Sequence, residues 1–143
     1  MIKNIRHTGI VVLDINKAIK FYEGLGFSTW KREMENGSCI DKIVGLKNVK
    51  IETAKLKSPC GSLIELLQYH SHPVEKKIKN QPSNQLGCSH IAFTVKSIGD
   101  AIQYIQDSGG SIVNLPEMPA GDKVRVAYCY DTEGVLMEVV EEL

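Results

Sequence analysis

Apolar residues along the chain repeat with two different periods, and the switches between them predict its elements. Residues 5–12 and 88–96 are rich in β-branched and apolar side chains, the composition of strands. Directly after each, the period lengthens. Ile15, Ala18, Ile19 and Tyr22 fall on one face of a helix, and so do Ile98, Ala101, Ile102 and Ile105. Asp14 and Ser97 stand where an N-cap belongs, and Gly24, Gly26, Gly109 and Gly110 supply stops. Beyond each helix the pattern returns to short strands separated by turn residues. Asn36 followed by Gly37 predicts a tight hairpin, and 59–62 a turn leading into a strand over Leu63–Tyr69. In the second half, 116–122 reads as a loop, followed by strands near 124–130 and 135–141.

The two strand–helix stretches are copies of one another. At an offset of 83, His7 meets His90, Val12 meets Val95, Ile15 meets Ile98, Ala18 meets Ala101, Ile19 meets Ile102 and Gly26 meets Gly109. Six identities at one ungapped offset, an infrequent His among them, are hard to attribute to chance. The chain is therefore expected to be α+β, with two βαβββ modules at 1–70 and 88–143. Residues 71–87 are polar, contain Pro73 and Pro82, and read as a linker with a short helix around 74–80.

A length of 143 residues suits one domain, or two small pseudo-repeats sharing a core. Apolar residues at 43% and charged ones at 24% are ordinary for a soluble protein. Lys+Arg and Asp+Glu both count 17, so nucleic acid and anionic membrane, which demand a basic excess, are set aside as main partners. There is no apolar run of transmembrane length, and the opening MIKNIRH lacks the apolar stretch of a signal peptide, so the expected location is cytoplasmic. Cys39, Cys60, Cys88 and Cys129 form no CxxC pair, and Cys88 and Cys129 fall in predicted strands. All four are read as reduced and structural.

Candidate chemistry lies on the last strand of each module. Along 63–69, Leu63, Glu65 and Leu67 share a face; along 135–141, Leu136, Glu138 and Val140 do. Each strand thus places one carboxylate between apolar neighbours, with apolar residues on the other face too. A carboxylate buried alone costs several kcal/mol, so each needs a partner or a metal. His7 and His90 open the first strand of each module at equivalent positions. Taken singly, a His at a strand start is an ordinary hydrogen-bonded residue, and a strand Glu faces solvent. The ordered set His7, Glu65, His90, Glu138, two per module, points instead to one first-row divalent ion with a position left open for substrate. His70 and His72 read as exposed. Lys123 and Arg125 could meet an anionic substrate, but a solvated strand is the simpler reading.

The stretches His7-Thr-Gly-Ile-Val-Val, Phe21-Tyr-Glu-Gly-Leu-Gly-Phe27, Leu63-Ile-Glu65-Leu, Ser89-His90-Ile-Ala-Phe and Asp131-Thr-Glu-Gly-Val-Leu-Met-Glu138 together resemble the vicinal oxygen chelate superfamily. Its members include glyoxalase I, methylmalonyl-CoA epimerase, extradiol dioxygenases and bleomycin-resistance proteins. The resemblance implies paired βαβββ modules in an incomplete barrel around the metal, a homodimer, and a small-molecule carbonyl or thioester substrate. It implies a lyase or isomerase in which the metal (nickel, cobalt, zinc, manganese or iron) acts as a Lewis acid while a glutamate moves a proton. Glu138 is then the main base and Glu65 the second acid–base group.

Where bacterial glyoxalase I carries an Arg and an Asn for glutathione, this chain has Val11 and Tyr69. The epimerase stretch Phe-Leu-His-Pro-Lys is replaced by residues 127–131, Ala-Tyr-Cys-Tyr-Asp. The substrate thus stays open between a glutathione adduct, an acyl-CoA and another carbonyl compound. The alternatives are an extradiol-type dioxygenase, which a fourth ligand at Glu65 disfavours, and a non-catalytic, resistance-type binding protein.

Overall fold

Both helices form where their caps and apolar stripes place them. In the computed structural model, which describes residues 1–73 and 81–143, α1 spans Ile15–Gly24 and α3 spans Ile98–Asp107. The Asp14 carboxylate accepts hydrogen bonds from the Asn16 and Lys17 amides, and the Ser97 hydroxyl from the Asp100 amide, satisfying donors the helix itself cannot. The Lys17 amide is the main reason that the Asp14 carboxyl lies below its usual range. One further amide at each N-terminus is taken by a side chain from a distant strand. Gln68 Oε1 accepts from Ile15 at 2.9 Å, and Glu141 Oε2 from Ile98 at 3.4 Å.

The chain divides into two compact units, Met1–Lys76 and Lys77–Leu143. The first runs β1 (Thr8–Val11), α1, β2 (Ser28–Asn36), α2 (Ser38–Val44), β3 (Lys50–Lys57), β4 (Leu63–Tyr69). The second runs β5 (Ile91–Val95), α3, β6 (Ser111–Ile112), β7 (Val124–Tyr130), β8 (Leu136–Glu142). Each unit holds one four-stranded sheet, ordered β1-β4-β3-β2 in the first and β5-β8-β7-β6 in the second. The first strand pairs in parallel with the last, the other pairs are antiparallel, and the helix carries the chain from the first strand to the far edge of the sheet. The expected α+β architecture of two βαβββ modules is present. Each sheet is open, so neither closes into a barrel by itself. The helix expected around 74–80 lies outside the described residues.

One face of each sheet is packed under its helix. In the first unit Ala54, Leu56, Ile64 and Leu66 meet the α1 side chains Ile15, Ala18, Phe21 and Tyr22, all buried. Phe21 stands edge-on to Tyr22, which does the same against Phe27. Burying each such aromatic stabilises the unit by about 1.5–3 kcal/mol. In the second unit Ala127, Cys129, Met137 and Val139 are buried with Ile98, Ile102 and Ile105 of α3. Because strand side chains alternate, this burial turns Glu65 and Glu138 to the opposite faces of their sheets.

Three expectations change in detail. Asn36 and Gly37 do not close a tight hairpin: Gly37, at φ 98°, starts the seven-residue α2. The Asp41 carboxylate holds that excursion shut, accepting from the Asn48 and Val49 amides at 2.8 Å each. Cys88 precedes β5 and is exposed rather than in a strand. The first strands are shorter than 5–12 and 88–96, because only four or five residues of each can reach the parallel partner. By contrast, the turn over 59–62 forms as expected, with Ser58 N–H donating to the Ser62 carbonyl at 2.9 Å.

Candidate metal centre

Parallel pairing brings each candidate His to its candidate Glu. Gly9 of β1 lies opposite Glu65, and His7 is two residues earlier, on the same face. His7 Nε2 stands 3.0 Å from Glu65 Oε2. In the second unit Ala92 of β5 lies opposite Glu138, and His90 again precedes it by two. His90 Nε2 stands 2.9 Å from Glu138 Oε2. The two pairs have closely similar geometry, one in each unit. All four side chains are partly withdrawn from solvent: 28% and 12% exposed for His7 and Glu65, 29% and 21% for His90 and Glu138.

Hydrogen bonding around the imidazoles bears on whether they suit a metal. His90 Nδ1 lies 3.2 Å from the Ser89 hydroxyl, leaving Nε2 as the atom turned to the carboxylate. His7 Nδ1 is buried and finds no hydrogen-bond partner among the described residues, so the polar contact of that ring rests on Nε2. Each pair therefore offers one imidazole nitrogen and one carboxylate oxygen, the donor chemistry of a first-row divalent ion. Among the described residues of each unit, no third His, Cys, Asp or Glu joins the pair to make a cluster. Within its own unit, each pair fits such an ion as two donors.

The antiparallel neighbour of each glutamate was missed in the sequence. Lys55 of β3 is the register partner of Glu65, and its ammonium sits 2.8 Å from Glu65 Oε1. The hydrogen bond to Glu65 raises the Lys55 pKa, burial opposes it, and the charges of Glu65, Glu35 and Glu33 add to the rise. Tyr128 of β7 is the partner of Glu138, and its ring packs edge-on to His90 with centroids 5.0 Å apart. Burial first, then the charge and hydrogen bond of Glu138, hold the Tyr128 phenol above its usual range. A usable signal existed. Once the turn over 59–62 is recognised, counting outward along the hairpin pairs residue 55 with residue 65.

Other polar residues lie elsewhere. His70 Nε2 contacts Glu52 Oε2 at 2.9 Å, and Arg32 Nε donates to Glu52 Oε1 at 2.7 Å. Burial would raise the Glu52 pKa, but the hydrogen bonds from His70 and Arg32 outweigh it and bring the carboxyl below its usual range. His72 Nδ1 meets the Ser71 hydroxyl at 2.8 Å. Arg125 is more than half exposed, 4.0 Å from Glu141 Oε2, on the strand face opposite Tyr128.

Comparison with known proteins bears on the family and the fold. The Glyoxalase/Bleomycin resistance protein/Dioxygenase superfamily profile matches residues 6–128. The chain belongs to that superfamily. A glyoxalase family protein from Bacillus cereus is 27% identical, with a TM-score of 0.92 over 100% of this chain and 96% of its own. A glyoxalase I mutant from Zea mays (19% identical) gives 0.64 over 96% of this chain and 46% of its own. The fosfomycin resistance protein FosX from Listeria monocytogenes, complexed with Mn(II) and sulfate, gives 0.63 at 17% identity, over 100% and 95%. These last two likenesses show the fold. No curated protein sequence matches the chain.

Proposed function

We propose that the protein is a metal-dependent lyase or isomerase that enolises a small carbonyl or thioester substrate. The observation that carries this reading is the duplicated His–Glu pair: His7 with Glu65 at 3.0 Å and His90 with Glu138 at 2.9 Å. On this reading His7, Glu65, His90 and Glu138 together hold one divalent ion of the nickel, cobalt, zinc, manganese or iron type. When bound, such an ion supplies Lewis acidity toward a substrate oxygen.

The rest of the chemistry belongs to the chain. Glu138 takes the proton from the carbon beside the carbonyl and returns it to the neighbouring position, and Glu65 is the second acid–base group. Tyr128, the neutral phenol directly opposite Glu138 across the β7–β8 ladder, orients that carboxylate. Val126 and Val140 share the strand face of Glu138 with Tyr128 and Thr94, so apolar and hydroxyl-bearing side chains both border that carboxylate. The same reading makes the protein a cytoplasmic homodimer. Support comes from four free thiols, which suit a reducing compartment, and from the exposed apolar side chains of Trp30, Met34 and Ile43. No helix among the described residues is long and apolar enough to cross a membrane.

Metal content of the purified protein tests the site. About one equivalent of divalent metal is expected in the wild type, and little in the H7A/H90A double mutant. With metal present, turnover is screened on thiol adducts of 2-oxoaldehydes and on acyl-CoA epimers. Glu138→Gln should then lower turnover by about 100-fold or more. Absence of metal from the wild type after reconstitution with each ion would remove the enzymatic reading and leave a binding protein.

A further inference from the structure

We propose that Lys55 is a positioning residue that restricts Glu65 to one metal-facing oxygen. The inference rests on the reading of the two His–Glu pairs as metal donors. It starts from the two oxygens of Glu65, which have different partners: Oε2 faces His7 at 3.0 Å and Oε1 faces the Lys55 ammonium at 2.8 Å. The contact is fixed by the fold, because Lys55 and Glu65 are directly opposed across the β3–β4 ladder. Its side chains are 19% and 12% exposed, so it is not a loose surface ion pair that solvent would dissolve.

An ion reaching this carboxylate from the His7 side meets Oε2. To gain Oε1 as well, it would have to displace an ammonium at hydrogen-bond distance. Glu65 therefore binds through a single oxygen, and coordination positions stay open for substrate oxygens. The ammonium also sets a cost on metal affinity, because it is a like charge close to the incoming cation. At the matching register position of the second unit stands Tyr128, an uncharged donor. The electrostatic part of the restraint is thus confined to Glu65.

The charge effect and a merely structural role of Lys55 predict opposite signs. The test is Co(II) binding, with cobalt alone as the probe, measured by competition with a chromophoric chelator and by visible absorption. Lys55→Met should bind Co(II) about tenfold more tightly than the wild type, or about 1.4 kcal/mol. Its visible bands should weaken as Glu65 turns both oxygens to the ion and the coordination number rises. Lys55→Arg should keep wild-type affinity and spectrum. Lys55→Gln, which keeps a donor without the charge, should raise affinity while leaving the spectrum near wild type; it carries the test should the Met variant fail to fold. Unchanged or weaker cobalt binding in folded Met or Gln variants overturns the role of Lys55 and leaves the metal site standing. Failure of the wild type to bind any cobalt overturns the site itself, and the role of Lys55 with it.

Discussion

Cys60 departs from the uniform reading of four inert cysteines because of its two serine neighbours. The Ser58 hydroxyl lies 3.1 Å from its sulfur and that of Ser62 at 3.5 Å, and together these lower the thiol to about 7. Burial pushes Cys129 the other way, to about 11. Alkylation by iodoacetamide, followed by peptide mass spectrometry, should modify Cys60 with a pH midpoint near 7 and leave Cys129 untouched until the protein unfolds. A Cys60 midpoint above 8 would mean that the serines do not hold the thiolate in solution. The sequence shows Ser-Pro-Cys-Gly-Ser plainly, but the effect depends on a turn that folds both hydroxyls back onto one sulfur. The four proposed ligands were legible by contrast, since two equivalent His and two equivalent Glu are features of pattern. Lys55 and Tyr128 were not, because only the register of β3 and β7 says which residue faces a given carboxylate.

At the level of elements, the two copies keep their strand–helix openings and diverge in the middle. α1 and α3 begin 83 residues apart, whereas β4 and β8 begin 73 apart, a difference made in the stretch containing α2. That changing offset hides the second half of the repeat from an ungapped comparison. It also explains why Gln68 and Glu141, which do the same work at the two helix N-termini, carry no sequence signal as a pair. The return from α3 to its sheet has its own steric demand. A Cβ on Gly110 would come within 2.5 Å of the Tyr130 carbonyl oxygen and 2.7 Å of the Ile105 side chain. Gly110→Ala should therefore lower stability by about 1–3 kcal/mol, read as a lower denaturation midpoint with an unchanged slope. A midpoint equal to that of the wild type would show that α3 can shift away from the sheet without cost. Gly110 was recognised from sequence as a stop, but its intolerance of any side chain comes from the neighbouring strand.

For the molecule as a whole, the proposed ligands come together only when β1 pairs with β4 and β5 with β8, so metal binding is linked to folding. At a free metal concentration one hundred times the dissociation constant, the linkage is about 2.7 kcal/mol, or a melting shift of about 8 °C. Chelation should lower the wild-type melting temperature by that order and leave H7A/H90A unmoved. Equal shifts in both proteins would place any metal effect elsewhere. The α+β architecture, the duplicated strand–helix opening, the capping residues and the His–Glu–His–Glu set were determined by the sequence itself. These follow from local periodicity, from cap chemistry and from residue identity repeated along one chain, none of which needs a partner strand. Tertiary structure decided the α2 excursion after Asn36, the joining of His7 to Glu65 and of His90 to Glu138, and the placing of Lys55 and Tyr128 beside the carboxylates. Those outcomes depend on strand register and on a side-chain carboxylate closing a loop. Register joins residues far apart in sequence, and the Asp41 closure spans only seven or eight. Neither is set by local periodicity, and the free energy of both is realised only as the chain folds.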